Sequence, residues 1–163
     1  MILLTVGTQL PFDRLVKSMD LIAPELGEEV FAQIGVGEYL PKHFDYCRLV
    51  TPRELSEKFE AADRIVSHAG TGSLLTARRY NKPIILFPRR ASLGEHRNEH
   101  QLATCKQLEL VEGVSVAYTE EELCALLKIE NTVGSKIDKT SPLGLGSALG
   151  RSISQYIKGI QKC

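Results

Sequence analysis

The chain has 163 residues, 43% of them hydrophobic, which suits one domain with a core of ordinary size. Lys and Arg number 20 and Asp and Glu number 20, so a nucleic-acid binder that relies on a basic surface is excluded. The cysteines, Cys47, Cys105, Cys124 and Cys163, form no CxxC pair, a spacing that suits free thiols in a reducing cytoplasm better than a zinc site or a disulfide framework.

The opening run Ile2–Val6 is apolar, is β-branched at Ile2, Thr5 and Val6, and stops at Gly7. That pattern predicts a buried strand; it is too short for a signal peptide and lacks a basic flank. Phe12, Leu15, Val16, Met19 and Ile22 recur at helical spacing after Pro11. Strands are expected over Glu29–Val36 and Arg48–Val50. Thr51, Pro52 and Glu54 form a helix start with a capping box, and Leu55, Phe59 and Ala62 share one face. A strand over Arg64–Ser67 leads into a helix over Ser73–Tyr80. A strand over Pro83–Pro88 is followed by a helix over Asn98–Leu108. The last strand, Val114–Ala117, precedes a helix over Thr119–Leu127 with Thr119 and Glu122 as a second capping box.

Strands that alternate with helices imply a parallel sheet covered on both faces, a Rossmann-like doubly wound α/β domain. The expected organisation is one domain over residues 1–163: a core over 1–128, a Gly-, Ser-, Thr- and Lys-rich linker over 129–146, and a closing helix over 147–163. No run of ~18 apolar residues is present to span a bilayer.

In an open parallel sheet, ligands bind beyond the carboxyl ends of the strands, and three loops fall there. Gly7-Thr8-Gln9 follows the first strand; its glycine either admits an anion close to backbone N–H groups or simply makes a tight turn. His68-Ala69-Gly70-Thr71-Gly72-Ser73 joins a strand to a helix. It combines glycines, hydroxyls and a helix N-terminus, the elements of a phosphate site. It is neither a Walker A loop nor a full GxGxxG fingerprint. His68 orients this loop, contacts a nucleotide, or is a packed histidine. The third loop, Pro88 to Gln101, is strongly polar. There Arg89 suits phosphate, while Glu95, Glu99, His100 and Gln101 suit ribose or sugar hydroxyls. The remaining alternative is a solvated charged loop.

His96-Arg97-Asn98-Glu99-His100 also matches HxxEH, the inverted zincin pattern of two helical histidines on zinc. Gly94 just before it and the lack of a clear third ligand argue against a zinc hydrolase, so no metal is expected.

Taken together, Thr5-Val6-Gly7-Thr8, Ser67 to Ser73, Lys82-Pro83-Ile84-Ile85 and Gly94-Glu95-His96 with Glu99-His100-Gln101 resemble the C-terminal domain of family 28 glycosyltransferases. The nearest likeness is to the PssE/EpsF-like subunits of exopolysaccharide synthesis, with similarity to the catalytic subunit of the dolichol-linked N-acetylglucosaminyltransferase and to MurG. It covers Met1 to about Leu127. The resemblance implies a single half of a GT-B enzyme, the donor-binding domain, acting by inverting transfer from a UDP-sugar without a cofactor or metal. It implies Gly7 and Thr8 at the pyrophosphate, Gly70, Thr71, Gly72 and Ser73 at the diphosphate and ribose, and His100 and Gln101 near the donor sugar. His68, Glu99 and His100 are the candidate catalytic residues, with the general base for the acceptor supplied by a partner.

That partner, by the same resemblance, is a membrane-associated acceptor-side subunit that would hold the chain peripherally at the inner face of the membrane. A non-catalytic module that stimulates a partner enzyme is the alternative. Without its partner such a chain could form a homo-oligomer. One departure stands out: Thr76 occupies the position where the family carries a glutamate that holds the ribose hydroxyls. Ribose recognition is then expected to be weaker or to come from Glu95 or Glu99.

Overall fold

A computed structural model describes residues 1–132, with side chains through Lys128. Six strands, β1 (Ile2–Thr5), β2 (Val30–Gln33), β3 (Asp45–Cys47), β4 (Arg64–His68), β5 (Ile84–Phe87) and β6 (Val114–Val116), form one sheet. The order is β3-β2-β1-β4-β5-β6 and every pairing is parallel. Chain order reverses direction between β1 and β4, so the topological switch point lies at their carboxyl ends.

Four α-helices connect strands, α1 (Asp13–Leu26), α2 (Pro52–Ala61), α3 (Thr71–Arg79) and α4 (His100–Leu108), and α5 (Glu120–Thr132) follows β6. Strand residues alternate in facing. Ile2, Leu4, Val66, Ile85 and Phe87 pack with Leu15, Met19, Leu123 and Leu127 of α1 and α5. Leu3, Ile65 and Leu86 are equally buried outside that cluster, as are Phe59, Leu74, Cys105 and Leu108 of α2, α3 and α4. Apolar residues buried on both faces explain why β1 and β5 read as near-continuous apolar runs. Each such side chain contributes about 1.5–3 kcal/mol on leaving water.

Both expected capping boxes form. Thr51 Oγ1 accepts the Glu54 N–H at 3.3 Å, and Glu54 Oε2 accepts the Thr51 N–H at 2.7 Å. Thr119 and Glu122 exchange the same pair of bonds at 3.2 and 3.3 Å.

Several boundaries differ from expectation: β2 ends at Gln33 rather than Val36, α3 starts at Thr71 rather than Ser73, α4 starts at His100 rather than Asn98, and two further differences are larger. The third strand is Asp45–Cys47, not Arg48–Val50. The chain leaves the sheet at Arg48, whose carbonyl accepts the Gly35 N–H and whose guanidinium turns to the carbonyls of Gly35 and Gly37. In addition, α5 runs on to Thr132, through the first residues of the expected 129–146 linker. The rest of that linker and the expected helix over 147–163 lie outside the described residues. No helix among the described residues is long and apolar enough to cross a membrane.

Candidate functional site

The exits of β1, β4 and β5 lie side by side at the carboxyl edge. Helix α3 begins immediately after β4, with Gly70 as N-cap and no side-chain cap bond. The N–H groups of Thr71, Gly72 and Ser73 have no partner among the described residues. No acidic residue occupies the first turn, so the positive end of the helix dipole is not neutralised locally. Thr71 and Gly72 are exposed and Ser73 half-buried. A Cβ on Gly72 would meet nothing within 4 Å, so the space beside that residue is open.

Across the switch point, Gly7 sits at φ +77°, a conformation that favours glycine. Thr8 and Gln9 beyond it are exposed. His68 joins the two loops. A Cβ on Gly7 would lie 2.9 Å from His68 Cε1, and one on Gly70 would lie 2.9 Å from Cε1 and closer still to Nε2. The imidazole thus lies where side chains at 7 and 70 would stand, so a Cβ at either position would crowd the ring. Burial, joined by the nearby charge of Arg89, pulls His68 down to about 4, so the ring is neutral near pH 7. Its Nδ1 stands 3.4 Å from Ser67 Oγ. Of the readings the sequence left open for His68, this geometry supports the one in which it orients the glycine loop.

Two expected ligands are instead built into the scaffold. Arg89 is 2% exposed. Its guanidinium donates to the carbonyls of Val6 at 2.8 Å, Leu10 at 2.9 Å and Pro11, and lies 4.4 Å over the Phe12 ring. Burial lowers it to about 10, with Glu95 opposing the shift. It remains charged, but its donors face protein carbonyls rather than a phosphate. Glu95 likewise holds Arg14 through two bonds of 2.7 and 2.8 Å and accepts the Arg90 N–H at 2.9 Å. A carboxylate so engaged is not free for ribose.

Of the other third-loop residues, Gln101 accepts the Arg89 N–H at 2.9 Å through Oε1, which fixes the loop. Glu99 Oε1 accepts the Ser92 N–H at 3.1 Å. Glu99 and His100 are exposed at the start of α4, beside the β5 exit. His96 lies before α4, bonded to Asn98, so the two histidines of HxxEH do not share a helix turn. Thr76 Oγ1 donates to the Gly72 carbonyl at 2.9 Å, a bond within α3 itself.

The sequence reading missed Gln33 and Arg14. Gln33 appeared only as part of a strand, and its buried amide is visible only once β1, β2 and β3 are side by side.

A doubly wound sheet with an uncapped, glycine-flanked helix start at its switch point is the context in which a family assignment carries weight. The model of the glycosyltransferase family 28 C-terminal domain matches residues 1–134. The chain belongs to that family.

Solved structures agree on the fold. The Streptomyces sp. SF2575 glycosyltransferase SsfS6, complexed with thymidine diphosphate, is 21% identical with a TM-score of 0.57 over 99% of this chain and 41% of its own. MurG of Acinetobacter baumannii is 18% identical with a TM-score of 0.56 over 78% of this chain and 40% of its own. The solution structure of ALG13 is 18% identical with a TM-score of 0.60, covering 95% of this chain and 93% of that one. The family 28 domain described here therefore spans about two-fifths of the length of SsfS6 and MurG, one half of a GT-B architecture. A search of curated proteins finds no match.

Proposed function

We propose that this family 28 domain binds a UDP-sugar and is the donor-side catalytic subunit of a two-component, inverting GT-B glycosyltransferase. The acceptor would be a lipid-linked or polysaccharide-precursor hydroxyl. The observation that carries the reading is the open N-terminus of α3 at the switch point, with three unpartnered N–H groups and no side-chain cap. Such donors stabilise the charge that develops on a leaving diphosphate as the glycosidic bond breaks. Thr71 and Ser73 add hydroxyl donors, Thr8 and Gln9 flank the opposite wall, and Glu99 and His100 stand on the β5 side for the sugar. In this proposal the N–H groups and the dipole neutralise the diphosphate without a metal ion. The base that deprotonates the acceptor comes from a membrane-associated partner, which also keeps the chain at the cytoplasmic face.

Calorimetric titration of the purified chain with UDP and with UDP-sugars tests this. Gly72→Val places its branched side chain in the open space at the α3 start, so it should leave the fold intact and abolish saturable binding. A folded Gly72→Val protein with wild-type affinity would overturn the placement.

A second reading, a non-catalytic module that stimulates a partner enzyme, gains support from the engagement of Arg89, Glu95 and Thr76 in internal bonds. Capture of the partner glycosyltransferase with no nucleotide binding, alone or in the complex, would select it.

A further inference from the structure

Two buried side chains that lie outside the glycine loop control the peptide groups that follow β1. Gln33, the last residue of β2, is 2% exposed. Its Oε1 accepts from Thr5 Oγ1 at 2.8 Å, and its Nε2 donates to the carbonyls of Gly7 and Arg48, each at 3.0 Å. Arg89, from the exit of β5, donates to the carbonyl of Val6 at 2.8 Å. The Val6 and Gly7 carbonyls are consecutive; Gln33 comes from β2, which pairs with β1, and Arg89 comes from the exit of β5, which lies beyond β4 on the other side.

A trans peptide unit is planar, with its C=O and N–H pointing opposite ways. No peptide bond among the described residues is cis, so holding these two carbonyls fixes the N–H groups of Gly7 and Thr8. Neither N–H has a partner among the described residues. Gln33 draws the Gly7 carbonyl toward β2. The Thr8 N–H therefore faces away from β2, on the side where β4 leads into the uncapped start of α3.

We infer that Gln33 is a positioning residue for the diphosphate, setting the Thr8 N–H on the side of the N-terminus of α3, with Arg89 fixing the peptide that precedes it. The inference rests on the UDP site proposed above. Neither side chain touches the nucleotide; both act through the peptide planes they hold. Arg89 also pins Leu10 and Pro11, so the loop is tied at both of its ends.

The test compares affinities for UDP and for uridine, which lacks the phosphates, in the full chain. Gln33→Met keeps the side-chain length and removes the donor to Gly7. Arg89→Lys keeps the charge but cannot reach three carbonyls at once. Each should weaken UDP by about tenfold, the scale of one lost hydrogen bond to a charged group, and leave uridine unchanged. Equal losses for UDP and uridine, or unchanged UDP affinity in folded variants, would overturn the inference. Should the variants not fold, the wild-type amide resonances decide. The Thr8 amide proton is expected to shift downfield with UDP and not with uridine, and no shift would overturn it. A wild-type chain that binds neither compound defeats the UDP reading itself, and the inference with it. Wild-type binding with insensitive variants defeats only the inference.

Discussion

Replacing Gly70 by alanine adds one methyl group where the structure leaves no room. The new Cβ would lie 2.9 Å from Cε1 and 3.0 Å from Cδ2 of His68, with Nε2 closer still. Comfortable contact begins near ~3.5 Å. The ring has little freedom to retreat, because it is half-buried and its Cε1 lies equally close to the Cβ position of Gly7. The backbone of Gly70, at φ −93° and ψ 136°, is open to any residue, so the cost is one of packing alone. Overfilling of this kind costs about 1–3 kcal/mol.

Gly72 is the internal control. A Cβ there meets nothing within 4 Å, and alanine in a helix is favoured over glycine by up to about 1 kcal/mol. Urea denaturation of the two variants should therefore give a lowered midpoint for Gly70→Ala and an equal or raised one for Gly72→Ala. The mechanism is isolated by His68→Ala combined with Gly70→Ala. With the ring gone the added methyl fits, so the two costs should fail to add by about 1–3 kcal/mol. An unchanged midpoint for Gly70→Ala, or strictly additive costs in the cycle, would refute the wedge described here.

Acid should act through the same ring. His68 is held at about 4 in the folded chain, while an exposed histidine titrates near ~6.5. The unfolded chain binds the extra proton between those values, so stability rises with pH across that window and falls on acidification through it. Between about pH 6.5 and 4 the wild type should lose up to about 3 kcal/mol more than His68→Gln in urea melts; parallel profiles for the two proteins would contradict this. Thr76→Glu restores a carboxylate where the family holds ribose, and it should tighten UDP and uridine together by about tenfold. Unchanged affinity for both would show that ribose does not reach α3 at this position. Thr51→Ala removes half of the α2 capping box and should cost about 1 kcal/mol in thermal or urea unfolding; a loss near zero would mean that the helix start is held by Pro52 and tertiary contacts alone.

The candidate site was legible wherever local chemistry dictates local geometry. A strand ending in glycines followed by hydroxyls and a helix can be read as an anion site because the donors are backbone groups of that same segment. His68 and its two flanking glycines lie in readable positions, yet the packing of the ring against Gly7 as well as Gly70 required β1 and β4 to be adjacent. Arg89 and Glu95 show which contacts of the third loop the sequence does not reveal. An arginine in a polar loop suits a phosphate or a set of carbonyls equally well on paper, and what lies within reach of its guanidinium is set by the return of the chain from Val6 to Pro11.

The order of strands and helices, the two capping boxes and the parallel, doubly covered sheet follow from hydrophobic period and turn chemistry, which act within a few residues of chain. β3 escaped that logic because it is an edge strand with Asp45 and Tyr46 exposed, so burial imposed no pattern on it. Roles that depend on partners distant in the chain were decided by the tertiary structure: Arg89 on the β1 loop, Arg14 on Glu95, and Gln33 bridging the exits of β1 and β3. A buried polar side chain must satisfy its hydrogen bonds wherever the fold brings partners, and only the folded sheet brings these together.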